Sequence, residues 1–79
     1  MNWSQALDAL KAGNRIQRSG WNGKGMFLVM IASSEWTMSN WHANGFERLP
    51  WIGMKTADDH FVPWLASQTD ILAEDWERA

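Results

Sequence analysis

"GMKTADDHFVPWLASQTDILAEDW", Gly53–Trp76, is the stretch on which the fold turns. Its first half belongs to a hairpin. "LPWIGMKT" (49–56) and "HFVPW" (60–64) flank the turn "ADD", where Asp58 or Asp59 supplies the conformation that Asn-Gly or Asp-Gly more often supplies. Pro63 cannot donate to a ladder, so the second strand is expected at a sheet edge, or to end there. "SQTDILAED" then opens with Ser67 and has Asp70 three residues on, a helix-start signature. "DWERA" (75–79) closes the chain and reads as a last strand pairing back onto the sheet.

Working outward, "NWSQALDALKAG" (2–13) reads as a short amphipathic helix. Trp3, Ala6, Leu7 and Leu10 fall on one face, Asn2 and Gln5 resemble a capping box, and Gly13 fits the position just past the end. This helix is expected to lie as a lid on a sheet, with no site of its own. "NRIQRSG" (14–20) is a short strand with Ile16 buried, "SGWNGKG" (19–25) a turn or loop, and "MFLVMIA" (26–32) a central strand. Residues Ser33–Arg48 read as loop with about one turn of helix. The sum is an α+β fold: N-terminal helix, small antiparallel sheet, short C-terminal helix, in one domain over residues 1–79.

Composition narrows the function. With 79 residues, no cysteine, seven tryptophans and three phenylalanines, the chain lacks disulfide and thiolate routes to stability. Each indole buries about 150–250 Å² and brings an N–H that needs a partner. Seven fit poorly in so small a core, so some are expected at subunit interfaces or in a ligand site, and the chain as a homo-oligomer. Trp3 and Trp51 read as core. A net charge of −2 argues against coating long nucleic acid. No apolar run reaches membrane-span length and no secretory leader is visible, which points to the cytosol.

The sequence shows no catalytic constellation. Ser33, Ser34, Ser39 and Ser67 lack the glycines of a nucleophile elbow, and His42 and His60 form no metal-binding pair. Asp58–Asp59 and Glu74–Asp75 read as solvated pairs. Asp58, Asp59 and His60 are consecutive, which seldom converges on one ion. No enzyme, metal or cofactor is expected.

Anion binding and aromatic stacking fare better. "GWNGKG" (20–25) lets the backbone approach a ligand and adds the cation Lys24. The "SQTD" helix start offers N–H groups, although Asp70 can satisfy them itself and caps are far commoner than phosphate sites. Trp21, in a polar glycine-rich loop, reads as a ligand platform. Trp64 stands between Pro63 and the helix start. A base stacked on an indole gains about 1–3 kcal/mol.

"LDALKAG", "SGWNGKGMFL", "LPWIGMKT" and "FVPWLASQTDILAEDW" together resemble the second Thoeris anti-defence family of phages and prophages. The resemblance covers most of the chain, lapses over 33–47, and departs where "ADDH" stands in place of a commoner glycine. It implies homotetramers of small α+β subunits, acting in the host cytoplasm as sponges. These capture the cyclic ADP-ribose-type messenger of a defence TIR enzyme without cleaving it, and some members hold cyclic dinucleotides at a separate site. Carried onto this chain, the ligand residues are Trp21, Asn22, Gly23, Lys24 and Met26, then Trp64, Ala66, Ser67 and Gln68, with Met54 and Thr56 on the strand between. Two alternatives stay open: a small protein-interaction module using exposed tryptophans, and a hydrolase of the same signal.

Overall fold

A computed structural model describes residues 1–21, 25–37 and 47–79. Helix α1 (Trp3–Lys11) is set by its ends. Asn2 accepts from the Gln5 N–H at 2.9 Å, and the Gln5 side chain accepts from the Asn2 N–H, also at 2.9 Å. At the far end Gly13 takes φ +92°, with Gly13 N–H bonded to Leu10 O and Asn14 N–H to Ala9 O, a Schellman close.

Five strands form one antiparallel sheet: β1 (Ile16–Arg18), β2 (Phe27–Ile31), β3 (Trp51–Lys55), β4 (Phe61–Pro63) and β5 (Trp76–Arg78), in the order β4-β3-β2-β1-β5. The "MFLVMIA" strand is thus central, and the strand holding Pro63 lies at an edge. The β3–β4 turn is closed by Thr56 N–H on His60 O at 2.8 Å, and Asp59 adopts φ 65°. The second helix is short, as expected, and starts after Ser67. α2 (Gln68–Ile71) is a single turn, and β5 follows it, so the chain ends in a strand.

Register decides the two faces. Ile16 pairs with Leu28, Leu28 with Met54, and Met54 with Val62, placing these side chains on the face that α1 covers. Ala6, Ala9, Leu10, Ile16, Leu28 and Trp76 make the core. Phe27, Val29, Ile31, Trp51, Lys55 and Phe61 alternate onto the other face. Trp51 is therefore not a core ring. It is half-buried on the opposite face, its centroid 6.0 Å from that of Phe61. The two rings close over Gly53, where a Cβ would run into Phe61 and come within 3.1 Å of Trp51.

The turn of helix expected in Ser33–Arg48 is a 3-10 turn, Ser33–Glu35. Trp36 donates its indole N–H to Leu49 O at 2.9 Å, tying the two sides of that segment. Ser39, Trp41, His42 and Phe46 lie outside the described residues. Among the described residues, no helix is long and apolar enough to cross a membrane.

Candidate functional site

Four tryptophans from four parts of the chain gather on the core face. Trp76, at the start of β5, is 1% exposed and donates its Nε1–H to Asp70 O at 2.9 Å. Around it stand Trp3 at 5.2 Å, Trp21 at 5.5 Å and Trp64 at 6.1 Å between ring centroids. Trp21 and Trp64 meet it edge to face, at 80° and 89°, the arrangement the ring quadrupole favours. Trp3 and Trp64 also touch, at 5.3 Å.

These positions follow from local structure. Trp3 opens α1, Trp21 ends a 3-10 turn (Ser19–Trp21), and Trp64 follows β4 with its backbone N–H on Ile52 O at 2.9 Å. All three are half-buried, with one side on the core and the remainder at the surface. The expectation that Trp21 stands apart from the core is thus corrected. The Ser19–Trp21 turn lays the Trp21 ring against a strand from the other end of the chain.

A charged clasp holds this arrangement. Arg18 donates through Nε to Asp75 Oδ1 and through Nη1 to Asp70 Oδ1, each at 2.9 Å. Ser19 Oγ donates to Asp75 Oδ2 at 3.1 Å. The Arg18 guanidinium, with help from Ser19, holds the Asp75 carboxyl below its ordinary range, and the two carboxylates hold Arg18 above its own. Asp75 is half-buried and paired, so the reading of Glu74–Asp75 as a solvated pair fails for its second member. At the loop's other end, Lys55 Nζ donates to Gly25 O at 3.1 Å while pairing with Asp59 at 2.7 Å.

The residues singled out from the sequence fall into distinct settings. Trp21 and Trp64 are brought together through Trp76. Met54 packs against the same core, and Met26 is half-buried just before β2. Ala66, Ser67 and Gln68 are exposed beside α2. The Ser67 hydroxyl accepts from the Asp70 N–H at 3.2 Å and lies 2.9 Å from both Thr69 Oγ1 and Asp70 Oδ2, so the cap is occupied from within. Thr56 serves the hairpin: its hydroxyl donates to Asp58 and accepts from the His60 N–H at 3.0 Å. Thr56, followed by His60, holds the Asp58 carboxyl low. Asn22, Gly23 and Lys24 lie outside the described residues.

Sequence reasoning missed Trp76, Arg18 and Asp75. The signal for Trp76 was the strand period of "DWERA", which turns Trp76 and Arg78 to one face. Arg18 and Asp75 carry no local signal, since they meet only when β1 pairs with β5. Chemically, the arrangement offers flat, half-buried apolar rings beside a cluster of one guanidinium and two carboxylates, suited to stacking a planar ring. A separate open cavity of about 380 Å³ is lined, among the described residues, by Ser33, Ser34, Glu47 and Arg48.

Comparison with known proteins bears on this geometry. A family model described as a Thoeris anti-defense 2-like domain matches residues 1–79. A curated relative, Thoeris anti-defense 2 of Bacillus phage SP01, is 43% identical over 84 residues, spanning 98% of this chain and 92% of the relative.

Proposed function

The chain belongs to the Thoeris anti-defense 2-like family, and from that premise we propose that it is a phage anti-defence sponge. It binds a cyclic ADP-ribose-type messenger in the host cytoplasm and withholds it from the downstream effector without cleaving it. The observation that carries this reading is the meeting of Trp21 and Trp64, distant in sequence, around the buried Trp76. Both rings are only half-buried, which leaves indole surface for a purine to stack on, each stacked base being worth about 1–3 kcal/mol. By family resemblance the proposal also assigns ligand contacts to Asn22, Gly23, Lys24, Met26, Met54, Thr56, Ala66, Ser67 and Gln68.

The working unit in this proposal is a homo-oligomer, a tetramer by family resemblance. Large apolar side chains left at the surface of one subunit support it, notably Leu65 at 90% and Leu72 at 75% exposed.

The test is capture and release. The protein is titrated with cyclic ADP-ribose and, separately, with a cyclic dinucleotide, and complexes are weighed by native mass spectrometry. Heating then unfolds the protein, and the freed ligand is analysed. Binding followed by recovery of intact ligand is expected. A linearised or hydrolysed product would make the protein an enzyme, and no binding of either compound would sink the sponge reading.

A further inference from the structure

The loop that carries Trp21 is entered through three consecutive residues that face one carboxylate. Arg18 Nε donates to Asp75 Oδ1 at 2.9 Å and Ser19 Oγ to Asp75 Oδ2 at 3.1 Å. Gly20 lies beside the same group, where a Cβ would sit 3.8 Å from Asp75 Oδ2. A guanidinium and a hydroxyl, with a glycine that leaves room beside them, are the parts of an anion-binding cup, and here the anion is the chain's own side chain. The Ser19 N–H adds a bond to the Asp75 carbonyl at 3.1 Å. Asp75 directly precedes Trp76, whose ring meets that of Trp21. One dipeptide thus grips both the backbone leading into the loop and the ring at its end.

We propose that Asp75 is a positioning residue for the stacking face of Trp21: by filling this cup it fixes the Ser19–Trp21 turn, so the indole is already oriented when a nucleotide arrives. The proposal rests on the nucleotide reading above. Its physical basis is preorganisation. A ring on a glycine-rich loop must otherwise be ordered at the moment of binding, and that ordering subtracts from affinity. The role is separable from folding, because Arg18 keeps its bond to Asp70, and Asp70 keeps its bond to Trp76, when Asp75 changes.

The experiment labels the wild type, Asp75→Asn and Asp75→Ala with 5-fluorotryptophan, and a Trp21→Phe variant assigns the Trp21 fluorine resonance. In Asp75→Asn that resonance should narrow and move toward the free-tryptophan position while the Trp76 resonance holds. Affinity for cyclic ADP-ribose should fall about tenfold, the size of one lost charge-assisted hydrogen bond. In Asp75→Ala, sodium formate at constant ionic strength should refill the cup and restore both readings, an effect that a purely structural side chain would not produce. If Asp75→Asn fails to fold, Ser19→Ala removes one donor from the cup and carries the same comparison with a smaller change. A Trp21 resonance that stays put in the folded variant overturns the proposal. A mobilised Trp21 in a protein whose wild type binds no nucleotide upholds the anchor and sinks the nucleotide reading.

Discussion

Trp76 and Trp21 meet edge to face, yet the two rings carry different loads. Trp76 is fully buried and its N–H satisfies a backbone carbonyl. Trp76→Ala should therefore cost about 3–5 kcal/mol, comparable with the whole net stability of about 3–5 kcal/mol expected at this size. Circular dichroism should find that variant largely unfolded. Trp21 is half-buried, so Trp21→Ala should cost about 1–2 kcal/mol of stability, from the ring pair and partial burial. Its affinity for cyclic ADP-ribose should fall about 5- to 150-fold. A Trp21→Ala protein with unchanged affinity would reduce Trp21 to a packing residue. The Asp75 carboxyl also gives a pH signature. Its folded pKa is depressed, so its contribution is complete above the ordinary value of about 3.9 and is lost as pH falls through the lower folded value. The thermal midpoint should drop most steeply below about pH 4, and Arg18→Gln should flatten that drop.

Elements were readable where local rules govern them, whereas which distant residues they pair with was not. Helix α1 is announced by Asn2, Gln5 and Gly13, all within one stretch, and its caps form as that spacing implies. Strand β5 was legible in "DWERA" as a last strand pairing back onto the sheet, but that its partners are Ile16, Gln17 and Arg18 is something no local pattern reveals. Trp51 was misplaced for another reason. Its hydrophobicity outweighed the alternation that sets Trp51, Gly53 and Lys55 opposite Ile52 and Met54. The β3–β4 turn yields a test at this scale. Asp59 sits at φ 65°, where a residue with a Cβ is strained by about 1–2 kcal/mol unless, as Asp and Asn can, it bonds locally. Asp59→Gly removes that strain and gives up an exposed pair with Lys55 worth about 0.2–1 kcal/mol, so its midpoint should stay close to wild type. Asp59→Ala loses the pair and keeps the strain. It should fall by about 1 kcal/mol, or about 4–8 °C in a domain of this size, and equal midpoints would show that the turn is not strained.

For the whole molecule, the surplus of tryptophan already suggested that one chain does not use all its apolar surface internally. The structure makes that surplus specific. Four indoles share one cluster, which absorbs them without a larger core. Among the described residues, exposed apolar surface lies elsewhere, in Leu65, Leu72 and Val62 around β4 and α2, in Leu49, and in Phe61 on the other sheet face. A sequence reader sees Leu65 and Leu72 each as a helix or loop residue of no consequence, because exposure is a property of the assembled fold. Oligomers bury such surface, and their stability then depends on concentration. Light scattering at micromolar concentration should report a mass well above the 9.1 kDa of one chain, and the thermal midpoint should rise with protein concentration. Leu65→Glu combined with Leu72→Glu places two charges where a second subunit would have to desolvate them. Because neither side chain is packed within its own subunit, the far-UV spectrum should be unchanged while the mass falls. A mass that stays high in the double variant moves the interface to the other apolar surface, the sheet face of Phe27, Val29, Ile31 and Trp51. A wild-type monomer with a concentration-independent midpoint ends the oligomer reading, and leaves capture of the messenger to the indole cluster of a single chain.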